Sequence, residues 1–439
     1  MGSYIPASPE QQLEMLEFLG LHSLKELFAN VPQEMLLEKV QIPAGQSELE
    51  TEADLTHMAG ENKLFESIFR GAGAYHHYIP AIVKSVVNKE EFLTAYTPYQ
   101  AEISQGILQA IFEYQTMICR LTGMEAANAS VYDSAVAAAE ALAMCRDKKK
   151  RPKALIAATA DPAIISVAQT YSNGADAELI VVPERNGVVD HQALRQLLTE
   201  DVACFYVQQP NYYGQIEDAA QLSQIVHQTK AKFIMGINPI AAALLPSPAE
   251  CGADIAVGEG QPLGMSLSFG GPYLGFMAAN NEMLRKLPGR IVGETVDQQG
   301  KRAYVLTLQA REQHIRREKA SSNICSNQAL CALTAAVYLA AMGSKGLRQV
   351  ASLCLQGAHQ LAEQLCSIPG FSLRYRGPFF HEFVIDCPVT PALLEEKLAA
   401  QGMLSGLPLD GNGMLWCVTE LNDQQQIAAV VAAIREVTA

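Results

Sequence analysis

The sequence contains no lysine or arginine between Phe233 and Leu284, although the chain has 32 basic residues among 439. This stretch is nevertheless rich in strand, turn and glycine residues, and its segment 251–272 has the form of a framework that holds a ligand. Charge is scarce in the whole chain, since 18% of the residues are charged and the formal net charge is −14. Nucleic acids and anionic membranes bind basic surfaces, so we predict neither as a partner.

Other absences narrow the class of protein further. The ten cysteines include no CxxC pair and no close Cys/His spacing typical of a zinc site, which predicts reduced thiols in a cytoplasmic protein. The N-terminus has no basic segment followed by an apolar run, so no signal peptide is predicted. No uniform apolar run is long enough to span a bilayer. We therefore expect a soluble, cytoplasmic protein.

The segment GAGAYHHYIP (71–80) contains two adjacent histidines, His76 and His77. Neighbouring residues of a strand point to opposite faces, and no third metal ligand lies at a useful spacing. We therefore predict no metal site. Gly71 and Gly73 are instead expected to permit a close backbone approach to a partner chain.

The chain is predicted to begin with an arm of short helices. Ser8 is a candidate N-cap with Pro9 at the first helical position. A longer helix follows, with Thr97 as the predicted cap, Pro98 at its first position and Gly123 at its end.

From residue 153 onward, apolar strands alternate with amphipathic helices. The predicted strands are KALIAA, AELIVVP, VACFYVQQP, KFIMGINP, DIAVGEG and YLGFMAA. This alternation predicts βαβ units and a mostly parallel sheet that is covered on both faces.

The last hundred residues have the pattern of a compact α+β domain. Before them lies ICSNQALCALTAAVYLAAMG (324–343), a predicted helix that is apolar on most faces and is therefore expected to be buried. The predicted organisation is a helical arm, a large α/β domain, an interdomain helix and a small C-terminal domain, at residues 1–90, 91–320, 321–345 and 346–439.

This architecture resembles the fold type I, or aspartate-aminotransferase-like, pyridoxal-phosphate enzymes. Three local sequences are more specific and are similar to the N-terminal half of the glycine decarboxylase P-protein of the glycine cleavage system. They are FLTAYTPYQAEISQGILQAIFEYQTMICRLTGMEAANAS (92–130), GADIAVGEGQPLGMSLSFGGPYLGF (252–276) and REKASSNICSNQALCAL (317–333). In many bacteria that half is a separate chain, and the resemblance covers essentially the whole sequence.

The resemblance implies where the cofactor groups of this fold are expected, and this sequence lacks them. The Schiff-base lysine is expected at Gln261, Pro262 or Leu263, and none of these can form an imine. Asn238 stands where an acidic partner of the cofactor ring is expected. The helix start that would bind the phosphate lacks glycine and carries Asp133, which repels an anion. We therefore predict that this chain holds no cofactor covalently.

The resemblance also implies an activity and partners. A second subunit would carry pyridoxal phosphate and pair with this chain, as an α2β2 heterotetramer. Together they would decarboxylate glycine and transfer the aminomethyl group to the lipoyl H-protein. This chain would close the pocket and present part of the docking surface, with no catalytic residue of its own.

Two segments are candidates for lining the shared active site. In TAYTPYQAE (94–102), the candidates are Tyr96, Thr97, Tyr99 and Gln100, and the alternative is a simple helix-capping turn. In the basic segment 309–328, the candidates are Arg316, Arg317, Lys319, Ser322 and Asn323. The alternative there is a solvated helical face in which Glu312 and Arg316 pair at i,i+4.

Two other functions remain open at this point. The chain could be a regulatory or scaffold pseudo-enzyme without a part in the active site. It could also bind pyridoxal phosphate independently through a displaced lysine such as Lys84 or Lys319. The orientation of the two candidate segments toward the partner's cofactor or toward solvent distinguishes the first of these from an active-site subunit.

Overall fold

The computed structural model describes residues 6–37, 41–95, 98, 100–147, 149–320, 322–324 and 326–438. The chain divides into two compact units, residues 1–64 and residues 65–439. The first unit contains the helices α1 (Pro9–Phe18) and α2 (Glu48–Gly60), with short 3₁₀ turns between them. Ser8 caps α1 and Pro9 occupies its first turn, as predicted.

The second unit contains the remaining helices and every strand of the described residues. Its helices are α3 (Ala81–Val87), α4 (Glu90–Leu93), α5 (Gln105–Thr122), α6 (Ser134–Cys145), α7 (Pro162–Gly174), α8 (His191–Leu197), α9 (Ala219–Val226), α10 (Gln313–Arg316), α11 (Ala329–Cys366), α12 (Pro391–Ala400) and α13 (Gln424–Thr438). Its strands are β1 (Ser67–Ile68), β2 (Ala126–Ala127), β3 (Lys153–Ala157), β4 (Leu179–Val182), β5 (Glu184–Arg185), β6 (Val188–Val189), β7 (Val202–Gln209), β8 (Lys232–Ile237), β9 (Ile255–Glu259), β10 (Gly275–Ala279), β11 (Ile291–Val296), β12 (Arg302–Thr307), β13 (Ser372–Leu373), β14 (Glu382–Asp386), β15 (Met403–Leu404), β16 (Leu407–Pro408) and β17 (Gly413–Cys417).

A seven-stranded sheet forms the centre of the second unit, in the order β2-β10-β9-β8-β7-β3-β4. In this sheet β4, β3, β7, β8 and β9 are parallel, whereas β10 and β2 add an antiparallel edge. The predicted, mostly parallel sheet is therefore confirmed. The carboxyl ends of β7, β8 and β9 lie at one edge, which is where open α/β sheets bind ligands.

Both faces of this sheet are buried, as the continuous apolar strands predict. Successive residues of β3 alternate between two cores, because adjacent strand side chains point to opposite faces. Leu155 belongs to the core that includes parts of α5, α9 and α11, and Ile156 to the core that includes parts of α6 and α7.

The helix α5 begins later than predicted. Its N-cap is Ser104 and its first residue Gln105, so the start predicted at Thr97 and Pro98 is wrong. The side chain of Gln105 bonds to the carbonyl oxygen of Ala101 and to both backbone groups of Tyr304, in β12. These contacts hold residues 101–103 as a turn that precedes the helix. The predicted end is confirmed, since Gly123 is the left-handed C-cap.

The long helix α11 continues beyond the predicted interdomain segment. Its backbone breaks at Gly343, which has φ 58° and ψ 180°. By length and composition α11 could cross a bilayer, with a mean hydropathy of 1.4 over its most apolar window. However, most of its buried apolar side chains between Ala332 and Leu365 belong to two of the hydrophobic cores. We therefore interpret it as a core helix.

A four-stranded antiparallel sheet, in the order β13-β14-β17-β16, follows α11 and packs with α12 and α13. Phe69 joins the core of this region, although it lies near the beginning of the second unit. The predicted domain boundaries at residues 90, 320 and 345 stay a prediction.

Candidate functional site

A small cavity lies at the carboxyl ends of β7, β8 and β9, beside the start of α6. Its volume is about 40 Å³. That volume holds a few water molecules, whereas cofactor sites typically measure about 300 Å³ or more. It is lined by Gly73, Tyr75, Ser134, Asp161, Ile164, Tyr206, Gln208, Pro210, Gly236, Ile237, Asn238, Pro239, Gly258, Glu259, Pro262, His381 and Glu382.

Gln261, at the expected lysine position, ties two chain segments together. Its side-chain oxygen accepts a hydrogen bond from the Tyr75 N–H at 3.0 Å, and its side-chain nitrogen donates to the Tyr75 carbonyl at 2.9 Å. The same nitrogen also donates to the Met265 carbonyl at 2.7 Å. Gln261 is 1% exposed, so these bonds are sheltered from water. These hydrogen bonds hold the segment around Tyr75 beside the cavity.

The start of α6 is occupied by two carboxylates of the chain itself. Asp133 is the N-cap and accepts a hydrogen bond from the Val136 N–H at 2.8 Å. Glu259, at the end of β9, accepts one from the Ser134 N–H at 3.0 Å. The N–H groups of Ser134 and Val136, at the helix start where a cofactor phosphate is expected, therefore already bond to side chains.

Asn238, at the expected position of the acidic partner, caps its own turn. Its side-chain oxygen accepts hydrogen bonds from the N–H groups of Ile240 and Ala241, at 2.9 and 3.1 Å. Its side-chain nitrogen lies 3.5 Å from Nε2 of His381. Burial lowers the pKa of His381 well below its ordinary value, with a further contribution from His77, so His381 is neutral.

The electrostatics of the cavity disfavour a phosphate-bearing cofactor. Three carboxyl groups line it, on Asp161, Glu259 and Glu382, and no lysine or arginine is among its lining residues in the part of the chain described here. Burial raises the pKa of all three carboxyl groups, and that of Glu382 to about 7. Pyridoxal phosphate therefore does not fit this cavity by size, by charge or by covalent attachment.

The glycines of the segment 71–80 lie close to two carboxylate side chains of this chain. A Cβ atom at Gly71 would lie 2.5 Å from Oε1 of Glu382, and one at Gly73 would lie 2.7 Å from Oδ2 of Asp161. The Glu382 carboxylate accepts hydrogen bonds from the Ala72 N–H and the Tyr75 hydroxyl. The expected close approach exists within this chain, and a contact of these glycines with a partner chain stays a prediction.

The two histidines point to opposite sides, His76 outward and His77 inward. Nδ1 of His77 lies 2.7 Å from the Glu420 carboxylate, which also accepts a hydrogen bond from the Cys354 thiol at 3.5 Å. Ligand-type residues therefore lie near His77 in space, although none lies at a useful spacing in the sequence. Burial keeps the pKa of Cys354 well above its ordinary value. A protonated thiol that donates to Glu420 is typical of a structural cluster, and the absence of a metal site stays a prediction.

The basic segment forms two short turns instead of one helix. Helix α10 ends at Arg316, and Arg317 has a positive φ of 53°. Glu312 pairs with Arg290 at 3.5 Å and with His314 at 3.6 Å, whereas the i,i+4 pair with Arg316 that belongs to the alternative interpretation is not among the ion pairs of the described residues. Arg316, Arg317 and Lys319 are all exposed. The segment therefore presents several cations to its surroundings.

Two surface clefts adjoin this segment. Arg317 lines one of about 450 Å³, together with Glu312 and His314. Ser322 and Asn323 line a larger one of about 1060 Å³. That cleft is also lined by Glu140, whose pKa is raised to about 7 by burial, against the effect of a hydrogen bond from Ser322.

The other candidate segment is only partly described. Gln100 is exposed, and Pro98 is buried. Tyr96, Thr97 and Tyr99 lie outside the described residues. Of the candidate positions, the structure thus brings Asn238, Pro262 and the start of α6 together at the cavity. The clefts beside the basic segment have no lining residue in common with that cavity.

The family of this chain follows from its similarity to known proteins. Residues 2–434 match the family described as Glycine cleavage system P-protein. The chain belongs to this family. A glycine dehydrogenase (decarboxylating) subunit 1 of Moorella thermoacetica is 49% identical over 444 residues, which cover 100% of each chain. A crystal structure of glycine decarboxylase (P-protein), in inhibitor-bound form, is 40% identical with a TM-score of 0.92, over 99% of this chain and 100% of that one.

More distant structures confirm the predicted fold class. A C-DES mutant with glycine covalently linked to its pyridoxal-phosphate cofactor superposes with a TM-score of 0.63 at 14% identity, over 86% of this chain and 98% of that one. At this identity the likeness shows the fold alone. The P-protein chain therefore has the architecture of the fold type I enzymes, with a cavity that its own side chains reduce to a small volume.

Glu259 and Glu420 were not predicted from the sequence as site residues. Glu259 appears only as one residue of a strand, and its contact at the start of α6 is distant in sequence. Glu420 lies far from His77 along the chain. The one available signal was the glycine on each side of Glu259, because a glycine before and after a charged residue indicates a close backbone approach.

Proposed function

We propose that this chain is the cofactor-free subunit 1 of a glycine decarboxylase, and that a lysine-bearing subunit 2 holds pyridoxal phosphate. The glycine-decarboxylating function expected from the sequence is confirmed by the family match and by the relatives named subunit 1. The finer assignment, that the cofactor belongs to the partner alone, rests on the cavity. A space of about 40 Å³ without a lysine is the observation that carries it.

A partner chain is further supported by the first unit. Its described residues expose many large apolar side chains, and Phe18 and Leu64 are 91% and 89% exposed. Exposed apolar area is unfavourable in water at about 25 cal/mol per Å². An obligate interface is an apolar surface of this kind before association. We infer that subunit 2 covers this unit, in an α2β2 assembly.

The chemistry would take place at the partner's cofactor, and this chain would complete the enclosure around it. Pyridoxal phosphate supplies an electron sink for decarboxylation. The proposed contribution of this chain is to exclude water and to present cationic groups, since a basic group near a phosphate or carboxylate provides charge-assisted hydrogen bonds. Arg316, Arg317 and Lys319 are the candidates for this role because all three are exposed.

Glycine, the lipoyl H-protein and a cytoplasmic location complete the proposal. The H-protein would receive the aminomethyl group. The net charge of −14 makes nucleic acid an unsuitable partner. The soluble α/β fold agrees with an enzyme of the cell interior.

The test is to find where the cofactor becomes attached. The isolated chain and its complex with subunit 2 are each incubated with pyridoxal phosphate and reduced with borohydride. The mass of each subunit is then measured by mass spectrometry. We expect a phosphopyridoxyl adduct on subunit 2 alone. A stoichiometric adduct on this chain, at Lys84, Lys319 or any other lysine, would overturn the proposal.

The alternatives are less well supported. A regulatory pseudo-enzyme is not favoured by the family match or by the named relatives. An independent pyridoxal-phosphate enzyme would need a lysine at the cavity, and the exposed residues Lys84 and Lys319 do not line it. Glycine–bicarbonate exchange by the reconstituted complex, and none by either subunit alone, is the expected activity.

A further inference from the structure

We propose that Glu259 is a built-in substitute for a bound phosphate: its carboxylate holds the start of α6 and both ends of the loop 260–274. The fold would receive a phosphate at this helix start, and the chain supplies an anion of its own there. The proposal concerns the isolated chain and does not depend on the function proposed above.

The geometry places three backbone donors on one carboxylate. Oε2 of Glu259 accepts from the Ser134 N–H at 3.0 Å. Oε1 accepts from the Gln261 N–H at 3.0 Å and from the Leu274 N–H at 2.9 Å. A carboxylate that accepts several backbone N–H bonds imitates the way a phosphate is held by a helix start and a loop.

The composition of the loop 260–274 explains why its ends depend on hydrogen bonds to Glu259. Residues 260–281 contain no charged side chain. The tip of the loop is exposed, with Leu267 at 41% and Phe269 at 103%. At the neck of the loop, the Gly260 N–H donates to the Leu274 carbonyl at 2.7 Å, next to the two bonds of Glu259. Glu259 therefore connects the helix, the neck of the loop and the edge of the cavity.

The space vacated by this side chain would suit an inorganic phosphate. Replacing glutamate by alanine removes four heavy atoms, and the adjoining cavity adds about 40 Å³. A phosphate ion has five heavy atoms and can accept the same N–H bonds. Asp133 lies at the same helix start and repels an added anion, so we expect binding in the millimolar range.

The decisive variant is Glu259→Ala in the full-length chain. Loss of three hydrogen bonds to a charged acceptor is expected to lower the thermal midpoint by roughly 5 °C. About 20 mM inorganic phosphate, at ionic strength matched with chloride, should restore a substantial part of this loss. The wild-type midpoint should not respond, because Glu259 already occupies the position.

The matched control is Glu250→Ala. Glu250 also accepts a backbone N–H bond, from Ser247 at 2.8 Å, but it is exposed and lines neither the cavity beside Glu259 nor the clefts described above. Phosphate should therefore leave this variant unchanged. An equal phosphate shift in all three proteins would reflect general salt stabilisation and would overturn the proposal. A destabilised Glu259→Ala protein that phosphate does not rescue would overturn it as well.

Hydrogen exchange supplies a second measurement in case the alanine variant does not fold. The milder Glu259→Gln keeps the volume but presents an amide N–H₂ to one of the backbone donors. We expect about tenfold faster exchange in two peptides that are far apart in sequence, around Ser134 and around Leu274. Wild-type exchange in both peptides would show that Glu259 holds neither segment and would refute the inference.

Discussion

The cavity beside Glu259 and the first unit of the chain differ in how their side chains are satisfied. At the cavity, polar side chains such as Gln261 and Asn238 turn to backbone groups of their own chain and leave little room. In the first unit, large apolar side chains such as Phe18 extend into solvent. The polar side chains of the cavity are thus satisfied within this chain, whereas the apolar side chains of the first unit form the surface that the proposed subunit 2 would cover.

The largest effect is expected for Gln261→Ala. This change removes the three hydrogen bonds to Tyr75 and Met265 and leaves buried backbone groups without partners. We expect the free energy of unfolding to fall by about 3 kcal/mol, measured by urea denaturation of the isolated chain. Gln299→Ala is the control, because Gln299 is exposed in the β11–β12 turn and should change stability by less than about 0.5 kcal/mol. Equal effects of the two changes would mean that Gln261 does not stabilise the closed cavity.

The next effect concerns the basic segment. Arg317→Ala in the complex should lower the rate of glycine–bicarbonate exchange about 30- to 100-fold if its guanidinium reaches the partner's phosphate or the substrate carboxylate. The thermal midpoint should not change, because Arg317 is exposed.

Arg316→Ala is the internal control for this experiment. Arg316 ends α10, whereas the positive φ of Arg317 turns the next side chain in another direction. The two residues are therefore not expected to reach the same target. Wild-type exchange in both variants would place the segment in solvent and would favour a scaffold role for the chain.

Much of the fold could be predicted from the sequence, because its signals are local. The apolar runs of β3, β7, β8 and β9 and the stop at Gly123 each depend on neighbouring residues only. The start of α5 was missed because Gln105 bonds to β12, and the break at Arg317 was missed because helical spacing continues through it. Backbone conformation at such points depends on tertiary contacts that a sequence window does not contain.

The candidate site also has features that the sequence predicts and features that depend on tertiary contacts. The absence of a lysine at Pro262 and of an acid at Asn238 is visible in the sequence. The groups that fill the remaining space are not visible there, because Glu259 meets Ser134 and Gln261 meets Tyr75 over long sequence distances. The sequence thus shows which expected cofactor residue is missing, but only the structure shows which side chains occupy the space instead.

A smaller effect is expected for Phe18→Ala. If Phe18 is an aromatic contact with subunit 2, its truncation should weaken the complex about 10- to 30-fold, measured by titration calorimetry. The isolated chain should keep its thermal midpoint, because the side chain is 91% exposed. Glu17→Ala, at the neighbouring exposed position, is the matched control. An unchanged dissociation constant for Phe18→Ala would exclude this side chain from the interface.

A further effect is expected in the pH dependence of stability at the cavity. Burial raises the pKa of Glu382 to about 7 from 4.5, so between these values the folded chain retains a proton that the unfolded chain has released. Stability therefore falls as the pH rises through this window, by about 1 kcal/mol per pH unit from this group. Residue 382 cannot titrate in the Glu382→Gln variant, so the unfolding free energy of this variant should decline less steeply between pH 5 and pH 7.

The contribution of Glu140 to the pH dependence of stability has the same sign, but it is present in both proteins and cancels in the difference. Glu250→Gln is the control, since hydrogen bonds from Ser247 lower the pKa of Glu250 and place its titration below the window. Parallel slopes for the wild type and Glu382→Gln would mean that water reaches this carboxylate and that the cavity is open.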